Sequence, residues 1–235
     1  MLRFSLPIAF MVALTAPLAA QSPVRTLRSA LEVLESIQSI PARGIPAAML
    51  ADAQGIAIIP GVIKAGFVVG GRAGRGVVFS RNPDGTWGEP AFVTLGGASF
   101  GFQAGVQSTD AVLVFRTRRS LERIVNGRNK ITLGADVAIA AGPVGRQAAA
   151  GTDGMLRAEI FSYSRSRGLF AGVSLDGAAL VYDNRANREF ADIQSAQVRA
   201  LVDQLRNLIA MAAGQPQNQL PTPAAAPILT PPPPQ

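Results

Sequence analysis

Gly96-Gly97-Ala98-Ser99-Phe100-Gly101-Phe102-Gln103-Ala104-Gly105-Val106 admits two incompatible structures, and the choice between them decides the fold. Gly97 to Gly101 spells G-x-S-x-G, the nucleophile elbow of serine hydrolases, which requires a strand before the serine and a helix after it. Read instead as extended chain, where residues two apart share a face, the stretch sorts cleanly. Ala98, Phe100, Phe102, Ala104 and Val106 fall on one side, and Gly97, Ser99, Gly101, Gln103 and Gly105 on the other. Alternation over this length is the signature of a strand. The glycines then leave room on one face for a close-packed neighbour, or bend the strand. Ser99 belongs to that small-residue face.

The rest of the composition supports the structural reading of Ser99. The chain has no histidine and no cysteine. A Ser-His-Asp triad, a thiol nucleophile, Cys-ligated zinc and an iron–sulfur cluster are therefore all excluded. Lys64 and Lys130 are the only lysines, and neither stands in an S-x-x-K context. An enzyme would have to work through carboxylates such as Asp52, Asp136 or Asp176, and these form no recognisable pair. The expectation is a non-catalytic protein with no cofactor and no metal.

Both ends of the chain differ from its middle. Residues 1–20 begin with a single positive charge at Arg3, continue as an apolar run to about Leu14 and end in the small residues Ala19-Ala20. That is the order of a secretory signal peptide, and the run is short and proline-interrupted for a membrane-spanning helix. Removing it takes the net charge from +7 to +6. From Gly214 to Gln235 the chain is uncharged and proline-rich, the composition of a disordered tail. The domain is thus expected over residues 21–213, exported to the periplasm or cell envelope, and without disulfides.

Within the domain, Val24, Leu27, Leu31 and Leu34 recur at helical spacing, as do Ile193, Val198, Leu201, Leu205 and Leu208. A short helix is expected from Pro46, capped at Gly55. The N-terminal stripe suits packing on a core; the alternative is a helix lying in a membrane interface. Between the two long helices the sequence is glycine-punctuated and strand-like, with a Pro83-Asp84-Gly85 turn. The fold class expected is α+β: a strongly bent, glycine-rich antiparallel β-sheet of eight to ten short strands, covered by N- and C-terminal helices.

Four stretches carry a family resemblance: residues 45–78, 85–115, 133–145 and 161–183. Ile56 to Pro60, Trp87 to Pro90, Gly142-Pro143 and Tyr163 to Gly177 are the most specific of their motifs. In this order they resemble SYLF domains, over about residues 35–192. The resemblance implies a lipid-binding domain, with eukaryotic relatives associated with phosphoinositide membranes and cortical actin, and bacterial relatives that are exported. Asn187 to Asp192 departs from the family pattern, and the chain lacks the SH3 or FYVE module of eukaryotic relatives. With an export signal in front, no actin partner is expected.

The residues themselves offer one candidate for such a function. Arg116, Arg118, Arg119, Arg123, Arg128 and Lys130 fall within fifteen residues. Such a cluster attracts anionic headgroups, and arginine matches phosphate geometry with paired donors; the plain alternative is a solvated helix face. Arg72 and Arg75 add two cations in a glycine-rich segment that matches neither a P-loop nor a dinucleotide fingerprint. Nucleic-acid binding is not expected, since two tyrosines and one tryptophan make no stacking platform. The reading is an exported phospholipid- or membrane-binding protein. Its rivals are an outer-membrane-associated structural or β-barrel-like protein and a carboxylate-dependent hydrolase.

Overall fold

The computed structural model describes residues 22–39, 44–66, 69–100, 105–125, 130–143, 158–166, 175, 177–193 and 195–215. The expected signal peptide and nearly all of the expected tail lie outside these residues, as do Arg128 and Asp176.

The chain opens with helix α1 (Pro23–Gln38), whose N-cap Ser22 accepts a hydrogen bond from the Arg25 amide and whose first position is proline. A short helix α2 (Ala47–Ala51) follows. Four long strands come next: β1 (Gly55–Gly66), β2 (Val69–Arg81), β3 (Trp87–Phe100) and β4 (Gly105–Phe115). Helix α3 (Arg118–Val125) leads into β5 (Ile131–Thr132), β6 (Ile139–Ala141), β7 (Ile160–Ser166) and β8 (Ala179–Tyr182). Helices α4 (Asn184–Ala191) and α5 (Ala196–Ala212) end the domain, the latter capped by Ser195.

The strands form one sheet in the order β5-β8-β3-β2-β1-β4-β7-β6. All neighbours are antiparallel except β6 and β7, which run parallel, so the sheet is mixed where an antiparallel one was expected. β1 to β4 are 11 to 14 residues long rather than short. β3 and β4 are not neighbours: the β1–β2 hairpin lies between them, paired to β4 on one side and to β3 on the other. The opening stretch is therefore not one continuous strand. It contributes the end of β3 and the start of β4, with 101–104 outside the described residues. At the residues that can be described, the register keeps Ala98 and Val106 on one face and Gly97 on the other.

The sheet is strongly curled, and its two faces bury different things. On the concave face a core of Ala57, Ile59, Val78, Val93, Leu95, Leu113, Phe115, Ile131, Ile160 and Leu180 is closed by Leu121 and Ile124 of α3. The two outermost strands, β5 and β6, follow each other in the chain and are joined by a turn that hydrogen-bonds Asp136 to Thr132. This turn draws the sheet's edges together. On the convex face Ile56, Ile58, Val77, Phe79, Phe92, Val112 and Val114 pack under α1, α2 and α5. Leu27 and Leu34 of α1 are fully buried there, so the N-terminal stripe is a core-packing one.

The curl is built from specific irregularities. Ile59 and Val62 are three apart yet both face the concave core, because a bulge lies between them. Gly61 takes φ +56° there, a conformation glycine adopts without penalty. Its N–H donates to Oδ1 of the buried Asp110 at 2.9 Å. Further along, a Cβ on Gly97 would sit 3.0 Å from Ala178 Cα, so the glycine face is where the 177–178 segment crosses the strand. Gly142 is required for a similar reason: any Cβ there would overlap the Tyr163 ring. Burial pushes the Tyr163 hydroxyl well above the usual tyrosine range. Gly55, expected as a helix cap, is instead the first residue of β1. Leu121 fills the space beside it, where a Cβ would lie 2.6 Å from Leu121 Cδ1.

Candidate functional site

Helix α3 gathers part of the basic segment on one surface. Thr117 precedes it, accepting a hydrogen bond from the Ser120 amide at 3.4 Å and donating its hydroxyl to Glu159 at 2.9 Å. Ser120, Leu121 and Ile124 turn inward and are buried. The remaining positions of the turn, Arg118, Arg119, Glu122 and Arg123, are left exposed. Arg119 and Arg123 are one turn apart on the outer face. Arg118 Nε donates to Glu122 at 3.1 Å, with both side chains more than half exposed, a pairing worth little in water. Arg123 donates to the Asp136 carbonyl at 3.3 Å, and Lys130 is exposed nearby.

Asp136 belongs to this surface as well. The Thr132 amide and hydroxyl hold its carboxyl below the usual range, and Arg123 and Lys130 add to the effect. Four cations thus face two carboxylates, Glu122 and Asp136. The surface remains positive by two charges, less than the sequence spacing suggested. An acid thirteen residues past Arg123 is invisible to a local count of charges.

The other basic candidates lie elsewhere. Arg116 turns to the convex side, where its guanidinium sits 5.7 Å from the Phe161 ring and donates to the Ala158 carbonyl at 3.4 Å. Arg72 and Arg75 are three apart on β2 and so face opposite sides of the sheet. Arg72 is on the concave side, opposite Lys64, and Arg75 on the convex side, opposite Thr94. Arg72 belongs to the end of the sheet away from α3, about 30 Å along β1 at strand rise, whereas Arg75 lies midway along β2 beside the β1 bulge. Arg128 lies outside the described residues. The candidate cations are therefore scattered over α3, both faces and different heights of the sheet, and do not make one patch.

Two residues that sequence reasoning passed over prove to be organisers. Asn187 in α4 pairs with β3 as a strand would: its side chain accepts from the Phe92 amide at 2.9 Å and donates to the Phe92 carbonyl at 2.8 Å. The segment that departs from the SYLF pattern is thus a helix docked by an amide side chain. Phe190 packs on Phe92 with ring centroids 5.1 Å apart. Arg206 on α5 borders a groove of about 430 Å³ lined by Phe190, Val198 and Val202. Its guanidinium is already engaged by Glu89 at 2.6 Å, Asp203 at 3.3 Å and the Gly88 carbonyl at 2.9 Å. Arg206 is thus not available to an anionic ligand in this groove.

Ser99 lies within β3, paired with Gly70 of β2. The next described element is the strand β4, so the helix that a nucleophile elbow requires does not follow. Ser99→Ala is expected to leave any background ester hydrolysis unchanged and to shift stability by no more than about 1 kcal/mol. An esterase activity abolished by that change would overturn the structural role. Of the carboxylates an enzyme would need, Asp52 is exposed, Asp136 accepts from the Thr132 amide at 2.7 Å, and Asp176 lies outside the described residues. Among the described residues no group of three or more Asp and Glu side chains is arranged to hold a metal ion. No described helix is long and apolar enough to cross a membrane.

Comparison with known proteins places these features in a family context. The family model described as "Ysc84: Las17-binding protein actin regulator" matches residues 96–214. SH3 domain-containing YSC84-like protein 1 of Homo sapiens is 39% identical over 171 residues, covering 73% of this chain and 49% of that protein. LAS seventeen-binding protein 3 of Saccharomyces cerevisiae is 43% identical over 148 residues, 62% of this chain and 32% of that protein. The chain spans about half the length, or less, of these curated relatives. No solved structure matches.

Proposed function

The chain belongs to the Ysc84 (SYLF) family, and we propose that this member is an exported, non-catalytic phospholipid-binding protein that engages anionic headgroups through arginines. The observation that carries the reading is the outer face of α3, where Arg118, Arg119 and Arg123 stand exposed beside Lys130. Arginine on a rigid helix face presents two donors at once to a phosphate. Each cation held near an anionic surface contributes about 1 kcal/mol. Relatives in the family carry names for binding and regulation rather than for catalysis, which agrees with a binding role. The helices on the convex face support a peripheral protein over a barrel, whose outward strands would meet lipid directly.

The test is co-sedimentation of the mature protein with vesicles across a salt series. Binding is expected to vesicles containing phosphatidylglycerol and not to purely phosphatidylcholine vesicles. It should weaken as salt rises, because exposed charges are screened within about 8 Å at physiological ionic strength. Equal binding to both vesicle types, or to neither, overturns the reading. A parallel spin with filamentous actin addresses the actin regulation in the family model's description; the proposal predicts that the protein stays in the supernatant.

A further inference from the structure

We propose that the far tip of the β1–β4 assembly is a second lipid contact, one that inserts apolar side chains into an anionic bilayer. This rests on the phospholipid reading but uses residues at the opposite end of the sheet from α3. On the convex face, Ile58 and Val112 are fully buried under the helices, and the same face continues beyond the helices as a bare strip. Ile63 is 42% exposed and Val106 78% exposed, in strands that are otherwise core-forming. Ala65 pairs with Val106 across the strands, and Ala98 on β3 is exposed in the same strip. At Gly96 a Cβ would meet open space, so nothing described covers the strip there. Exposed aliphatic side chains held on rigid strands cost free energy in water that a bilayer relieves.

Charge identifies the occupant. Lys64 and Arg72 are cross-strand partners on the other face of the same tip. No Asp or Glu occurs between Asp52 and Asp84, nor between Glu89 and Asp110, so every charge these strands bring to the tip is positive. An apolar strip whose own strands bring cations and no acids to this end complements a surface with anionic headgroups above hydrocarbon. This contact and the α3 arginines lie at opposite ends of the sheet, so they need not engage the same vesicle.

Val106→Trp in the full-length mature protein tests the contact directly. The native Trp87 is 5% exposed and begins β3 at the end away from the tip, so it stays silent to lipid. With phosphatidylglycerol vesicles the introduced tryptophan should shift to the blue and be quenched by brominated acyl chains, while wild-type emission does not change. Val106→Asp should bind these vesicles about tenfold more weakly at an unchanged melting temperature, equivalent to about 1.4 kcal/mol. Vesicle binding with an unshifted, unquenched signal from the introduced tryptophan, or undiminished binding by Val106→Asp, would overturn the inference while leaving the phospholipid reading intact. A lipid-free dimer that Val106→Asp dissolves would also overturn it, assigning the strip to a second copy of the chain. If wild type ignores anionic vesicles altogether, both the phospholipid reading and this contact fall.

Discussion

Replacing Arg118, Arg119 and Arg123 together by Gln is expected to weaken binding to phosphatidylglycerol vesicles about a hundredfold at low salt, from roughly 3 kcal/mol of lost surface attraction. The loss should shrink as salt rises, since screening removes from wild type what the substitution removes from the variant. Thermal melts should move little. The three side chains point outward from α3, and surface changes of this kind alter stability by less than about 0.5 kcal/mol. Two features temper the effect: Arg118 is partly neutralised by Glu122, and Arg123 is held at the Asp136 carbonyl. A control that changes only Arg116 to Gln should bind normally, because that guanidinium lies over Phe161 on the other side of the sheet. Should the triple variant sediment like wild type at every salt concentration, α3 is merely a solvated face.

The largest stability effect is expected from one methyl group. Gly76 lies in β2 against the bulged part of β1, where a Cβ would overlap the Ile58 carbonyl oxygen and sit 2.9 Å from Ile59 Cα. Both obstacles are backbone in the centre of the sheet, so no rotamer change relieves them. Gly76→Ala should cost about 3 kcal/mol, the upper part of the range for overpacking. Gly96→Ala, on the neighbouring strand, places its methyl in open space and should be neutral or mildly stabilising. Urea melts of the two variants make the comparison, and equal midpoints would show that the sheet shifts to accept the methyl at Gly76.

The helices α1, α2 and α5 and the alternation around Gly97 were legible in the sequence, whereas α4 was not. Leu27 and Leu34 repeat at helical spacing, and the structure buries both completely. The small face at Gly97 was readable because alternation is a local property, and Ala178 occupies the space it leaves. Which strands adjoin was not readable. The nesting of β1–β2 between β3 and β4 depends on pairings across as many as sixty residues, Gly55 with Phe115, and on the hydrogen bond from Gly61 to Asp110. A buried aspartate amid Thr109 and Ala111 carries no local sign that it serves a distant amide. The parallel β6–β7 pair escaped for the same reason, β6 being three residues long. Among site residues, proximity in the chain correctly grouped Arg118, Arg119 and Arg123. It wrongly attached Arg116, which precedes the helix and follows the strand's geometry, and it could not see Asp136 folding back beside them.

The packing of α1 against α5 has a kinetic consequence. Leu27 and Leu34 share a core with Val202, Leu205 and Ile209, which come nearly at the other end of the domain. The β1–β2 hairpin can form from neighbouring residues, but the convex core is complete only when the final helix arrives. Contacts of such sequence separation carry a loop-closure cost before they stabilise anything, which slows folding relative to a domain of local contacts. Until α5 docks, the apolar side of α1 and the sheet beneath it remain exposed to other chains. A nascent chain stopped before residue 196 is therefore a substrate for chaperones and proteases rather than a smaller version of the domain.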